Sequence, residues 1–146
     1  MSVGSTAQAA CGHGPGTLCS VCPSACSGTF SASTLDLHGS GISGTLPPEL
    51  GAVLGLQELD LHDNSISGTI PPQLGYLSTL TSLQLKGNRL AGALPTEINE
   101  LSPSRCALTN TQVGIHRDTN HFRCPLPTLT NVCGNDLICA DHSPPS

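Results

Sequence analysis

The chain has 146 residues, enough for one domain, and a formal net charge of −5 with five Lys and Arg residues in all. This acidic balance argues against a nucleic acid partner, and no apolar run approaches the roughly 20 residues of a membrane-spanning helix. Aromatic residues are scarce, with one Tyr, two Phe and no Trp. A large conventional core usually draws on aromatic side chains, so the composition favours many thin, equivalent aliphatic layers.

Residues 1–32 contain a cluster of four cysteines and are predicted to form an N-terminal cap. The stretch CSVCPSAC, residues 19–26, places two cysteines at the spacing of a zinc-ligand pair. A second such pair at zinc-ribbon spacing is missing, so structural disulfides are the favoured interpretation and a zinc site is the alternative. The chain has eight cysteines, an even number that favours an oxidising secretory or extracellular compartment. The four in this cluster are Cys11, Cys19, Cys22 and Cys26.

Residues 33–104 contain one pattern three times. The Leu-x-Leu at the start of each unit alternates with period two and predicts a short strand with one buried face. About seven apolar positions recur in each unit, which is more than one unit can bury alone, so the units are expected to stack as the coils of a solenoid. The units are 24 residues apart: LDLHGSGISGTLPPEL from Leu35, LDLHDNSISGTIPPQL from Leu59 and LQLKGNRLAGALPTEI from Leu83.

Two further features of the repeat have local structural reasons. Pro-Pro at 47–48 and 71–72, and Pro-Thr at 95–96, can open a short helical or 3₁₀ segment. Asn64 and Asn88 follow the strand, where a buried side-chain amide can bond the turn backbone and link successive coils. The first unit has Gly41 after its strand instead of an Asn, so we expect the ladder of asparagines to be incomplete there.

The second unit, LDLHDNSISGTIPPQLGYL, resembles the plant-type leucine-rich repeat L-x-L-x-x-N-x-L-S-G-x-I-P-x-x-L-G-x-L and differs from it only by Ile66 for Leu. The resemblance implies an α/β solenoid, a short right-handed superhelix with parallel strands on its concave face. It also implies a second short sheet along the SGTIP edge and 3₁₀ or short helical segments on the convex side. The tail NHFRCPLPTLTNVC, residues 120–133, resembles the Cys-containing C-terminal caps of such proteins, so disulfide-capped ends are expected.

Residues 105–146 are predicted to contain a degraded repeat followed by a C-terminal cap and tail. LTN at 108–110 resembles a degraded fourth strand and its turn, and TQVGIHRDTN at 111–120 would be a loop across the cap. A second cluster of four cysteines is expected to pair within itself, because the repeats separate it from the first. Three connectivities stay open for each cluster. The cysteines here are Cys106, Cys124, Cys133 and Cys139.

The strand residues opposite the buried leucines are predicted to form a partner-binding patch on the concave face. Neighbouring strands lie about 4.8 Å apart, so Asp36 should lie beside Asp60 and His38 beside His62. An ordinary solvated face, and a metal site built from the His and Asp pairs, are the alternatives. Ser82 is expected to face solvent on the same surface. The predicted partner-binding residues are Asp36, His38, Glu58, Asp60, His62, Asp63, Gln84 and Lys86.

Two other surfaces are further candidates. Ser43 with Thr45, and Ser67 with Thr69, form polar columns that could order water as an ice-binding face, although the third unit has only Ala at these positions. The general preference of threonine for β-strands also explains these residues. A basic cluster near the C-terminal cap suits an anion or an acidic partner, and it consists of Arg105, His116, Arg117, His121 and Arg123.

The sequence contains none of the common catalytic motifs. There is no G-x-S-x-G, no phosphate-binding loop and no H-E-x-x-H. We therefore predict a protein that is not an enzyme and that has no cofactor or metal. The family resemblance implies recognition of a protein, peptide or glycan in a secretory or extracellular setting. A structural or accessory subunit fixed in a larger assembly is the alternative, because architecture alone does not decide function.

Overall fold

The computed structural model describes residues 11–12, 14–101, 103–108 and 120–122, and these form a solenoid of parallel strands in two sheets, as expected from the repeat. In chain order the strands are β1 (Gly16–Thr17), β2 (Thr34–Asp36), β3 (Ile42–Thr45), β4 (Glu58–Asp60), β5 (Ser65–Gly68), β6 (Ser82–Gln84), β7 (Arg89–Gly92), β8 (Arg105–Ala107) and β9 (His121–Phe122). One sheet has the order β2-β4-β6-β8, and the other has the order β1-β3-β5-β7-β9. Each coil therefore contributes one strand to each sheet.

Columns of aliphatic side chains hold the coils together. The strand leucines pair in register from coil to coil, and the leucines two residues later continue the same buried layer. Burying one such side chain contributes about 1.5–3 kcal/mol, and the same contribution recurs in each coil. The predicted period-two face is thus confirmed. The six buried leucines are Leu35, Leu59, Leu83, Leu37, Leu61 and Leu85.

A ladder of three buried asparagines runs through the coils. The side-chain amide of Asn64 donates to two backbone carbonyls, one in its own coil and one in the preceding coil, at 2.9 and 3.0 Å. Asn88 and Asn120 repeat this arrangement, so each inner carbonyl accepts bonds from two asparagines. In the first unit the ladder ends as predicted, but the equivalent residue is Ser40, one position before Gly41. The bonded groups in order are the Leu37 carbonyl, Asn64, the Leu61 carbonyl, Asn88, the Leu85 carbonyl, Asn120 and the Leu108 carbonyl.

The fourth repeat differs from the sequence-based expectation. Its strand is Arg105–Ala107, in which Cys106 pairs in register with Leu83 of β6. The sequence placed the fourth strand and its turn at 108–110, but the strand ends at Ala107 and the buried Leu108 follows it, while 109 and 110 lie outside the described residues. The ladder position is taken by Asn120, whose Oδ1 accepts a 2.8 Å bond from the backbone of Leu90. The repeat thus resumes at residue 120, and 109–119 lie outside the described residues.

Three 3₁₀ segments, one in each repeat, form the side of the solenoid opposite the sheet of β2, β4, β6 and β8. They stack closely on one another. Each follows a proline, as the Pro-Pro and Pro-Thr pairs predict. A Cβ atom at Gly75 would lie 2.7 Å from the Glu97 Cβ and 2.8 Å from its carbonyl carbon, so only glycine allows this approach between coils. The segments are Pro48–Ala52, Pro72–Tyr76 and Thr96–Glu100.

The N-terminal cap closes one end of the stack. Disulfides join Cys11 to Cys22 and Cys19 to Cys26, which confirms pairing within this cluster. Strand β1 pairs with β3, and two short helices, α1 (Leu18–Val21) and α2 (Pro23–Ser27), pack against the first repeat. Closing loops of this size contributes about 2–3 kcal/mol per disulfide in the chain-entropy model.

At the other end, Cys106 is also disulfide-bonded. The other cysteines of its cluster, Cys124, Cys133 and Cys139, lie outside the described residues. Within the described part of the chain, no helix is long and apolar enough to cross a lipid bilayer.

Candidate binding face

The sheet of β2, β4, β6 and β8 directs one set of side chains away from the buried leucines. We call this surface the four-stranded face. Ser82, expected to face solvent here, is instead buried, because in register it lies between the longer side chains of Glu58 and Arg105. The face is formed by Thr34, Asp36, His38, Glu58, Asp60, His62, Asp63, Gln84, Lys86, Arg105 and Ala107.

Two Asp-x-His pairs occupy equivalent positions in the first two repeats. His38 Nδ1 lies 2.5 Å from Asp36 Oδ1, and the same oxygen accepts a 3.3 Å bond from the His38 backbone amide. His62 makes the same pair of bonds to Asp60, through Nδ1 and through its backbone amide. An ionised carboxylate only accepts hydrogen bonds, so Nδ1 donates in both pairs and Nε2 faces away from the carboxylate.

The two imidazole rings stack face to face. Their centroids are 4.7 Å apart and their planes differ by 1°. The strand pairing continues past β2 and β4, since Gly39 N donates to His62 O at 3.0 Å, so the ring separation follows the spacing between paired strands. The structure therefore confirms that His38 lies beside His62 and Asp36 beside Asp60, as the sequence predicted.

Charged neighbours raise the pKa of His38 above its ordinary value of 6.5. The bond to Asp36 is the largest cause, followed by the charge of Asp36, and the charges of Asp60 and Asp63 add to it. Partial desolvation acts in the opposite direction. His62 stacks on the other side of the ring. Three carboxylates therefore surround one exposed imidazole.

In an NMR titration we expect His38 to show a midpoint above pH 6.5 and Asp36→Asn to shift that midpoint back towards 6.5. Because the folded pKa is raised, protonated His38 stabilises the fold below pH 6.5, and this contribution is lost as the pH rises through the folded pKa. A midpoint that Asp36→Asn leaves unchanged would contradict the pairing.

Asp63 lies beside the stacked rings in an unusual backbone conformation. Its φ is +56°, and Gly39 and Gly87 occupy the same left-handed region at the equivalent positions of the neighbouring repeats. Asp63 Oδ2 lies 3.8 Å from His62 Nε2. The side chain is largely exposed, and its Oδ1 lies against Gly87 of the next repeat.

Charge changes sign along the four-stranded face. The first two repeats carry four acidic residues, whereas the later two carry Lys86 and Arg105. Lys86 makes no ion pair among the described residues, and the aspartates bond their own histidines instead. Arg105 was predicted to belong to a basic cluster at the C-terminal cap, but β8 places it on this face, in register with Ser82. The Cys106-x-Leu108 pattern, read as Leu-x-Leu, is the signal that would have located it.

The predicted serine and threonine columns are offset in the structure. The 24-residue repeat would pair Thr45 with Thr69, but β3 and β5 pair Thr45 with Ser67. The methyl group of Thr45 lies against Gly68, and that of Thr69 lies against Gly92. Both threonines are exposed, but they do not face each other across the sheet.

Most of the predicted basic cluster lies outside the part of the chain that the structure describes. His116, Arg117 and Arg123 lie outside the described residues, and only the backbone of His121 is described, in β9.

The comparisons with known proteins agree with this architecture. The family model of the leucine-rich repeat matches residues 31–53 and 55–77. No curated protein sequence matches the chain significantly.

Solved structures of plant ectodomains are similar to the chain. The receptor kinase GASSHO1/SCHENGEN3 from Arabidopsis thaliana, in complex with CASPARIAN STRIP INTEGRITY FACTOR 2, is 32% identical with a TM-score of 0.62; the match covers 76% of this chain and 12% of that one. The Arabidopsis receptor kinase HAESA ectodomain, in complex with an N-terminally extended IDA peptide hormone, is 32% identical with a TM-score of 0.60, covering 77% and 17%. A plant ice-binding protein is 26% identical with a TM-score of 0.58, covering 74% and 31%.

These matches and the stacked coils establish the family. The chain is a plant-type leucine-rich-repeat protein. It spans less than a third of the length of each of these three neighbours.

Proposed function

We propose that the chain is a non-catalytic recognition module that binds a protein or peptide through the four-stranded face in an extracellular or secretory setting. The observation that carries this proposal is the change of charge along the face. Asp36, Glu58, Asp60 and Asp63 lie on the first two repeats, and Lys86 and Arg105 lie on the later ones. Complementary charge across an interface determines orientation and partner choice.

The charge pattern favours an extended peptide that crosses the strands. Its basic residues would lie over the first two repeats, and an acidic residue or a terminal carboxylate would lie near Lys86 and Arg105. One of the similar ectodomains, HAESA, is in complex with a peptide hormone, which supports this partner class.

The size of the face also favours a peptide. Four strands at about 4.8 Å spacing offer roughly 300–400 Å², whereas a standard protein interface needs about 800 Å² on each partner. A globular partner would therefore have to contact the caps as well.

The two N-terminal disulfides and the ectodomain neighbours support the extracellular setting.

The alternatives have less support. A structural subunit of a larger assembly would bury the four-stranded face permanently, and its mixed, exposed charges suit reversible binding better than an obligate interface. Ice binding, which the name of one neighbour describes, would require a flat and regular array. The alanines of the third repeat, Ala91 and Ala93, interrupt the serine and threonine columns that such an array needs.

A peptide-display selection tests the proposal. We expect random peptides selected on the wild-type domain to be enriched in Lys and Arg. The double reversal Asp36→Lys/Asp60→Lys should weaken the selected peptides by 10-fold or more, because it replaces attraction with repulsion at two sites. Raised salt should weaken wild-type binding too, since exposed charges are screened over about 8–10 Å.

The matched control reverses two acids on the opposite side of the molecule. Glu49 and Glu97 are exposed in the 3₁₀ segments, so Glu49→Lys/Glu97→Lys changes the net charge equally. This variant should bind the peptides like the wild type. Equal losses in both double variants would show that only overall charge matters, and no loss in the first would exclude the four-stranded face.

A further inference from the structure

The outer edge of β2 carries backbone groups that no neighbouring strand bonds. β2 is the first strand in the order β2-β4-β6-β8, and it pairs with β4 on one side only. Its odd-numbered residues face β4, as the 2.9 Å bond from Leu37 N to Asp60 O shows. Alternate residues of a strand direct their amide and carbonyl groups to opposite sides, so those of Thr34 and Asp36 point away from β4. In the described part of the chain these four groups bond no other residue.

The N-terminal cap leaves this edge of the sheet open. Its strand β1 pairs with β3 of the other sheet, helix α1 packs against β3, and helix α2 packs against the 3₁₀ segment Pro48–Ala52. None of these described elements packs against β2. A row of unpaired amide and carbonyl groups at a sheet edge is a template for one more strand, and extended peptides bind other proteins in this way.

The side chains beside the edge favour a basic occupant. Asp36 is 35% exposed, and His38 is 51% exposed whereas His62 is 24% exposed, because His38 has a stacking partner on one ring face only. A strand added about 4.8 Å from β2 would place a side chain against the open face of His38, as β4 places His62 against the other. The guanidinium group of arginine is planar, stacks on flat rings and pairs with carboxylates. It therefore suits both positions.

We propose that the outer edge of β2 binds an extended, arginine-rich peptide by strand addition, with alternate arginines beside Asp36 and over the His38 ring. A second copy of this chain fits the edge less well, because pairing two β2 strands would bring two Asp36 carboxylates together. The peptide runs along the strand direction at the edge, instead of crossing the four-stranded face. The site therefore goes beyond the proposed function and does not rest on it.

A capped peptide of alternating threonine and arginine, TRTRTRT, tests the mode of binding by calorimetry with the full, disulfide-intact chain at pH 7.5. Two analogues carry backbone N-methyl groups, one on its three arginines and the other on three of its threonines, so their charge is identical. Only alternate amides of an added strand face β2. We expect one analogue to bind like the parent peptide and the other to bind about 10-fold more weakly or worse, because it loses its backbone bonds. A peptide lying across the four-stranded face would not distinguish the two analogues in this way.

Thr34→Pro tests the same edge from the side of the protein. Proline is tolerated on an edge strand where the lost amide faces away from the sheet, so the pairing with β4 should survive while the outward donor is removed. We expect this variant to lose parent-peptide binding by about 10-fold or more, and Thr34→Val, which keeps the amide, to bind like the wild type. Circular dichroism shows whether the fold is retained, and the methylated analogues decide the question if Thr34→Pro does not fold.

Three results would overturn the proposal. These are equal affinities of the two methylated analogues, no parent-peptide binding tighter than about 1 mM, and unchanged binding by folded Thr34→Pro. A dimer in sedimentation experiments that Thr34→Pro abolishes would also overturn it, because the edge would then belong to a second copy of the chain.

Discussion

Leu61→Asp should prevent the chain from folding. Leu61 is fully buried between coils, and its backbone carbonyl accepts bonds from both Asn64 and Asn88. A carboxylate at this position has no partner, and an unpaired buried charge costs several kcal/mol. A domain of this kind has only about 5–15 kcal/mol of stability in total. Circular dichroism should show loss of the cooperative unfolding transition.

The matched control is Leu54→Asp, which introduces the same charge on an exposed side chain. Leu54 is 62% exposed, so the free energy of unfolding should change by less than about 0.5 kcal/mol. Similar unfolding of the two variants would refute the assignment of Leu61 to the buried layer.

Gly75→Ala should destabilise the stack through a single methyl group. The new Cβ would lie 2.7 and 2.8 Å from two atoms of Glu97, one of them in the backbone, so the coils must separate locally. Overpacking of this kind costs about 1–3 kcal/mol, and we expect about 2–3 kcal/mol. The melting temperature should fall by about 5–10 °C.

Gly55→Ala provides the comparison for this prediction. A Cβ at Gly55 meets nothing within 4 Å, so the substitution should be neutral or slightly stabilising by restricting the unfolded chain. Denaturant unfolding of both variants measures the difference. Equal stabilities would show that the 3₁₀ segments do not stack as closely as described.

Periodicity was sufficient to predict β2, β4, β6 and the buried layer, because every coil meets the same neighbours. The second sheet was implied by the resemblance to the leucine-rich repeat. It also predicted that His38 lies beside His62, since paired strands carry equivalent residues past one another. It did not predict the bonds from each ring to its own aspartate, because these depend on side-chain rotation. The burial of Ser82 depends on the lengths of Glu58 and Arg105 on the neighbouring strands, which the repeat alone does not show.

The fourth repeat was harder to locate from the sequence. Cys106 replaces a leucine and follows Leu83 by 23 residues instead of 24, so the strand was placed too late and Arg105 was assigned to the cap. Asn120 was missed because residues 109–119 separate it from its strand. A buried asparagine that completes a hydrogen-bond ladder is identified by its partners in space and not by its position in the chain.

The most direct test of the central claim is a chemical-shift map of a selected peptide on the isotope-labelled wild-type domain. Binding through the four-stranded face predicts that the largest backbone amide shifts occur at Asp36, Asp60, Gln84 and Arg105, the residues of β2, β4, β6 and β8. Amides of the 3₁₀ segments, such as Glu49 and Glu97, should remain unchanged. Shifts confined to the 3₁₀ segments or to the N-terminal cap would contradict the account.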